Sequence, residues 1–208
     1  MKQFCTKHHN FFRIMLFSLV LFDIAFLCSG CGALTWLTDA QNILPIVGNM
    51  VSLVLTLIAT LSGGTILPVD IAATIAAVIS KALAGIKDIE AAVAEYKATN
   101  PPPVGALQKI EAATQAVIDN LDGFLNDTLG SIVNQALHDK IKSLLTLVLN
   151  EVVAFASLLP ALHASAGQKL SITVPMTSNE AKAEWNKIVS TSSGDAAVDA
   201  ALAALPKL

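Results

Sequence analysis

The segment 42–61, NILPIVGNMVSLVLTLIATL, decides the fold class, because it has no charged residue over the full length of a helix. Small or hydroxyl-bearing residues recur at every fourth position, on one side of that helix: Gly48, Ser52, Thr56 and Thr60. In water this side is the polar strip of a bundle helix whose other faces are buried. In a membrane it is a seam of small residues along which two helices pack closely. Both interpretations predict a helix, and we favour the bundle.

A second helix is predicted directly after this segment. Residues 62–65, Ser-Gly-Gly-Thr, break the first helix, and Pro68 followed by Asp70 favours a new helix start. Apolar residues then recur at spacings of three and four as far as Ala98, which predicts a helix with one apolar stripe. The prolines at 101–103 end it, because proline cannot donate to the helical hydrogen-bond ladder. The two helices form a predicted hairpin.

Two more long helices follow with the same spacing. The third has its apolar stripe between Leu107 and Phe124, and the fourth extends from about Ser131 to Leu159. Four helices with short connections pack most naturally as an antiparallel four-helix bundle, since each stripe is then buried. We therefore predict an all-α fold with that bundle at residues 42–164.

The C-terminal residues 165–208 differ in composition and are predicted to form an appendage with two short helices. Thr177-Ser178-Asn179-Glu180 has the spacing of a capping box, and Ser193-Gly194-Asp195 is typical of a second helix start. Trp185 lies on the first of these helices and is our candidate interaction residue, because tryptophan is enriched at contact sites. A lone tryptophan on a short helix also serves as the anchor that docks that helix, and this alternative stays open.

The first 30 residues have the organisation of an export signal. Lys2, Lys7 and Arg13 give a positive start, and an apolar run follows from Ile14 to Leu27. That run is shorter than the roughly 20 apolar residues that span a bilayer. We predict a signal peptide at 1–30 and a tether at 31–41. An uncleaved membrane anchor is the alternative.

Leu27-Cys28-Ser29-Gly30-Cys31 resembles the lipobox of bacterial lipoproteins, although Cys28 stands where that family prefers leucine. The resemblance implies that Cys31 carries a lipid, such as palmitate, and becomes the new N-terminus. It also implies a bacterial cell-envelope protein at the outer membrane or the periplasmic face, with an integral membrane protein as the alternative. A metal or redox CxxC pair is the third interpretation, but no histidine or second pair accompanies Cys28 and Cys31.

Composition excludes several functions. Arg13 is the only arginine, and the residues after Cys31 contain ten lysines and fifteen acidic residues. Such a chain lacks the basic surface that nucleic-acid binding requires. We expect no enzyme, no cofactor and no metal site. His138 and Asp139 are neighbours on a helix and are expected to point apart, and Glu151 is expected on the rim of the bundle.

The predicted function is therefore a non-enzymatic, lipid-anchored envelope protein with a structural, scaffolding or interaction role. Its expected partners are the membrane, through the lipid, and other envelope proteins. The alternative is a membrane-active or pore-forming helical protein that inserts the apolar hairpin 43–86. An apolar-ligand carrier is a third class that no residue selects.

Overall fold

The computed structural model describes residues 36–99, 102–159 and 176–208. The chain divides into two compact units, Met1–Thr38 and Asp39–Leu208, and the packing below is that of the second unit. The described residues form six α-helices, which confirms the all-α prediction: α1 Trp36–Leu61, α2 Val69–Ala98, α3 Ala106–Gly123, α4 Gln135–Leu158, α5 Ser178–Ser190 and α6 Ala196–Ala203.

Helix α1 begins earlier than the sequence predicts, so residues 36–41 of the predicted tether are helical. Ala40 and Leu44 are buried and continue the inward face toward the N-terminus. Pro45 lies within the helix and on its exposed side, where it removes the hydrogen bond that its own N–H would donate.

Helices α1 and α2 form the predicted antiparallel hairpin. The chain reverses at Gly63, whose φ of 85° is a backbone conformation that glycine adopts without strain. The N–H of Gly63 donates to the carbonyl oxygen of Leu67 at 3.1 Å. At the far end of the hairpin, Nζ of Lys97 on α2 donates to Oε1 of Gln41 on α1 at 2.7 Å. The turn between α1 and α2 lies at the residues predicted from the sequence, 62–68.

Helices α2 and α3 approach closely because a glycine lies at their contact. A Cβ atom built on Gly85 would lie 2.5 Å from Cγ2 of Val117. No other residue type fits without a shift of the two helices, because valine is a stiff, β-branched side chain.

The passage from α3 to α4 is more elaborate than predicted. After Gly123 the chain makes a π-helical turn, Phe124–Thr128, and a short 3₁₀ turn, Leu129–Ser131. Asn134 then caps α4 by accepting the N–H of Leu137 at 2.9 Å. Helix α4 therefore starts four residues after the predicted Ser131.

Both short C-terminal helices are present, with the caps that the sequence predicts. Thr177 and Glu180 form the capping box of α5, and Asp195 caps α6. Helix α5 packs on α4, and α6 packs on α5. The predicted boundary of this appendage, at residue 165, lies outside the described residues.

The polar strip on α1 faces outward in this structure. Ser52, Thr56 and Thr60 are exposed, whereas Gly48 is half-buried near Ile86 of α2. Each threonine hydroxyl on the strip donates to the carbonyl oxygen four residues earlier. The opposite side of α1 is buried and supplies core residues such as Met50, Val51, Val54, Leu57 and Ile58.

Candidate functional site

Cys31, the predicted lipidation residue, lies outside the described residues, as do Cys5 and Cys28. The lipid anchor therefore stays a prediction from the leader sequence.

Trp185 lies inside the protein. Its side chain is 0% exposed on the buried face of α5, the helix that packs on α4. The indole Nε1 has no hydrogen-bond partner there. This position matches the alternative interpretation, in which the tryptophan anchors its own helix, and leaves no indole surface for a partner while α5 stays in place.

His138 and Asp139 are paired, so the expectation that these neighbours point apart is wrong. Oδ1 of Asp139 lies 2.9 Å from Nδ1 of the imidazole, and Nε2 of Gln135 donates to the same oxygen at 2.8 Å. Helical side chains lean toward the N-terminus, which brings this carboxylate back toward Gln135. The bond to His138 is the main reason that the pKa of Asp139 is lowered. In the described part of the chain, no hydroxyl or thiol group is hydrogen-bonded to the ring.

Glu151 is buried, which corrects its expected position on the bundle rim. Its side chain is 1% exposed, and Oε2 has no hydrogen-bond partner. Burial, and secondly the negative charge of Glu180, raise the pKa of Glu151 to about 7. Within residues 36–99, 102–159 and 176–208, no group of three His, Cys, Asp or Glu side chains is arranged to hold a metal ion.

The spacing along α4 contains the signal for this burial. Buried residues alternate by four and three, and Glu151 occupies one of the positions: Leu137, Ile141, Leu144, Val148, Glu151 and Phe155. A carboxylate in such a series is solvated only if no further element covers that part of the stripe. Helix α5 provides the cover.

Lys140 is a second buried charge on the same side of α4, with 8% of its surface exposed. Its Nζ donates to the carbonyl oxygen of Ile188 at 2.7 Å and to that of Thr191. These carbonyls belong to the last turn and the C-cap of α5. Burial lowers the pKa of Lys140, and the charge of Asp199 acts in the opposite direction. Lys140 therefore ties the C-terminal end of α5 to α4.

Asp199 orders the connection between α5 and α6. Its carboxylate accepts the hydroxyl of Ser192 and the N–H of Ser193, each at 2.6 Å. The bond from Ser192 is the largest of the effects that lower the pKa of Asp199 to about 2. The two serines and this carboxylate fix the turn that follows α5.

An open cleft of about 300 Å³ lies between α4 and the C-terminal end of α5. Its polar groups already have partners within the chain. Ser143 donates to a carbonyl of its own helix, Lys187 pairs with Glu184 at 3.0 Å, and Ser192 donates to Asp199. The cleft therefore serves to hold α5 and its following turn, and we assign it no ligand. It is lined by Ala136, Asp139, Lys140, Ser143, Lys187, Ile188, Thr191, Ser192 and Ser193.

No family model, no curated protein and no solved structure matches this chain.

Proposed function

We propose that this chain is a non-enzymatic protein of the bacterial cell envelope, held at the membrane by a lipid on Cys31. In this proposal the helical bundle stands outside the bilayer and has a structural, scaffolding or interaction role. Other envelope proteins are its expected partners, and we expect neither a cofactor nor nucleic acid to bind.

The surface of the bundle carries this proposal. Among the described residues, the large hydrophobic side chains that are exposed are three valines near helix ends and connections: Val69, Val104 and Val133. A helix that faces lipid turns its large apolar side chains outward, whereas here they point inward. This surface favours a bundle in water.

Helices α1, α2 and α4 are nevertheless long and apolar enough to cross a membrane, judged by length and composition. The burial of α2 explains how such a helix fits a bundle in water. Its isoleucines 75, 79, 86 and 89 are 0% exposed, whereas several of its alanines, such as Ala73, Ala77 and Ala84, face outward. Alanine raises the mean hydropathy but contributes little to insertion compared with leucine or phenylalanine.

The lipid anchor is tested with Cys31→Ser, and Cys28→Ser is the matched control. We expect Cys31→Ser to abolish incorporation of a labelled fatty acid and to leave precursor or soluble protein, because only the thiol carries the thioether-linked lipid. Cys28→Ser should remain labelled and bound to the membrane. Unchanged labelling and mass in Cys31→Ser would reject the lipoprotein assignment.

A second candidate function is supported by the hydropathy of α1 and α2. In this alternative the hairpin 43–86 inserts into the bilayer as a membrane-active or pore-forming element. Extraction with alkaline carbonate separates the two proposals, using Cys31→Ser protein from which the leader has been cleaved, because the precursor keeps the apolar run 14–27. A bundle in water is released by carbonate, whereas an inserted hairpin stays with the membrane and makes dye-loaded vesicles leak.

A further inference from the structure

The buried carboxyl of Glu151 lies where α4 meets the beginning of α5. Lys140 of α4 donates hydrogen bonds to the C-terminal end of α5. Glu151 lies eleven residues after Lys140, which is about 16 Å along the axis of α4. Helix α5 is antiparallel to α4, so the same distance along α5 leads back to its first turn. The charge of Glu180, in that turn, acts on Glu151.

Within residues 36–99, 102–159 and 176–208, the elements around Glu151 supply no cation to neutralise it. Helix α4 has no other charged residue between Leu144 and Leu158, and α1 has none over residues 42–61. From α5, Glu180 acts on it through a like charge, while Lys187 is paired with Glu184.

The remaining charged residues of α1, α3 and α5 do not contribute to the shift in the pKa of Glu151. They are Asp39 on α1, Lys182 on α5, and Lys109, Glu111, Asp119 and Asp122 on α3. An ionised Glu151 is therefore a buried negative charge that faces a second one, which is the costly case for a protein interior.

Glu180 cannot turn away from Glu151 without losing hydrogen bonds, because its carboxylate is part of the capping box. Oε2 accepts the N–H of Thr177 at 2.7 Å and the hydroxyl of the same residue at 2.8 Å. The first turn of α5 thus holds a fixed negative charge over Glu151. The repulsion is relieved in one of two ways. Either the first turn of α5 moves away from α4, or Glu151 keeps its proton.

We propose that Glu151 is a pH-sensitive switch for the docking of α5: the neutral carboxyl permits α5 to pack on α4, and the ionised carboxylate loosens it. The segment from Met176 to Leu208 then changes from a docked state to a freer one as the pH rises. Trp185 becomes accessible in the freer state. This inference does not depend on the lipid anchor.

The direction of the response follows from proton linkage. The pKa of Glu151 rises from 4.5 when exposed to about 7 when buried. A raised pKa means that the stabilisation is complete below pH 4.5, declines as the pH rises and is lost above about pH 7. If the whole difference between these two pKa values acts on the docking of α5, the docking equilibrium constant changes by roughly two orders of magnitude between pH 4.5 and pH 7.

Tryptophan fluorescence reports this change directly. The chain has two tryptophans, so the full chain in nonionic detergent carries Trp36→Phe in every arm and Trp185 is the sole tryptophan. Between pH 4 and pH 8.5 we expect the emission to shift to longer wavelength and acrylamide quenching to increase, with a midpoint between pH 4.5 and about pH 7. Glu151→Gln should keep the short-wavelength emission throughout, because its side chain is neutral and of equal size.

Two glutamates supply controls. Glu95→Gln changes an exposed residue of α2 and should leave the response unaltered. Glu180→Gln removes the like charge and keeps a side chain that suits a capping box, so the midpoint should move to lower pH. An emission that is independent of pH in the parent chain overturns the proposal, as does a Glu151→Gln variant that responds like the parent. If Glu151→Gln does not fold, an unshifted midpoint in Glu180→Gln overturns it.

Discussion

The side-chain amide of Asn134 donates to Oδ2 of Asp195 at 2.9 Å, which joins the N-cap residues of α4 and α6. Each residue also caps its own helix. Oδ1 of Asn134 accepts the N–H of Leu137, and Oδ1 of Asp195 accepts those of Ala197 and Val198. Two helix starts that are 61 residues apart in sequence are thereby held in one hydrogen-bonded unit.

This relationship predicts that the two caps are energetically coupled. Asn134→Ala should lower the free energy of unfolding by about 1 kcal/mol through loss of a cap, and Asp195→Ala should lower it for the same reason. The double variant should lose less than the sum, because the bond between the two residues is lost in either single variant. A double-mutant cycle by chemical denaturation measures the coupling.

The control for this cycle is Asn134→Asp, which keeps an acceptor for Leu137 but has no amide to donate to Asp195. It should retain the cap and replace the favourable coupling by repulsion between two carboxylates. Strict additivity of the two alanine variants would show that the caps act independently.

Gly85→Ala should destabilise the contact between α2 and α3. The added methyl group would lie 2.5 Å from Cγ2 of Val117, and forcing an extra group into a packed interior costs about 1 to 3 kcal/mol. Gly123→Ala is the matched control: this glycine is helical and has nothing within 4 Å of a Cβ, so alanine should be neutral or stabilising by up to about 1 kcal/mol. Adding Val117→Ala to Gly85→Ala should restore part of the lost stability, as measured by thermal denaturation.

Lysine on the polar strip of α1 distinguishes a bundle in water from an inserted hairpin. Ser52→Lys and Thr56→Lys should change stability by no more than about 0.5 kcal/mol, because both positions are exposed. Leu57→Lys is the positive control, since Leu57 is 0% exposed and a charge there should prevent folding. If Ser52→Lys and Thr56→Lys also fail to fold, the strip packs against another helix.

The carboxylate of Asp199 should make the end of α5 sensitive to acid. Its pKa is lowered from 3.8 to about 2, so its contribution is complete above about pH 4 and is lost as the pH falls toward 2. Asp199→Asn should therefore have a lower melting temperature than the parent at pH 7, and the difference should disappear near pH 2. A difference that is the same at both pH values would contradict the assignment.

Local signals predicted most of the helix boundaries. Pro68 and Asp70 indicated the start of α2, which begins at Val69, and the capping box from Thr177 to Glu180 indicated the start of α5. The start of α4 was misplaced, because a π-helical and a 3₁₀ turn separate it from α3. Such turns depend on how Phe124 packs into the interior, which the local sequence does not specify.

The surroundings of Glu151 and Lys140 depend on contacts that are distant in sequence. Both lie on the apolar side of α4, and a charged residue there is solvated at a bundle rim unless a further helix covers it. The cover is α5, whose position over α4 depends on Trp185 and on carbonyl oxygens of its last turn. The sequence showed that α5 exists but not which side of the bundle it covers.

The bond from Lys140 to the end of α5 also gives the docking of this helix a polarity. A helix carries a partial positive charge at its N-terminus and a partial negative charge at its C-terminus. The lysine ammonium meets the negative end of α5. In the reverse orientation the ammonium would face backbone N–H groups and find no acceptor. The buried ammonium of Lys140 thus favours the antiparallel over the parallel direction for a short amphipathic helix that lies along α4.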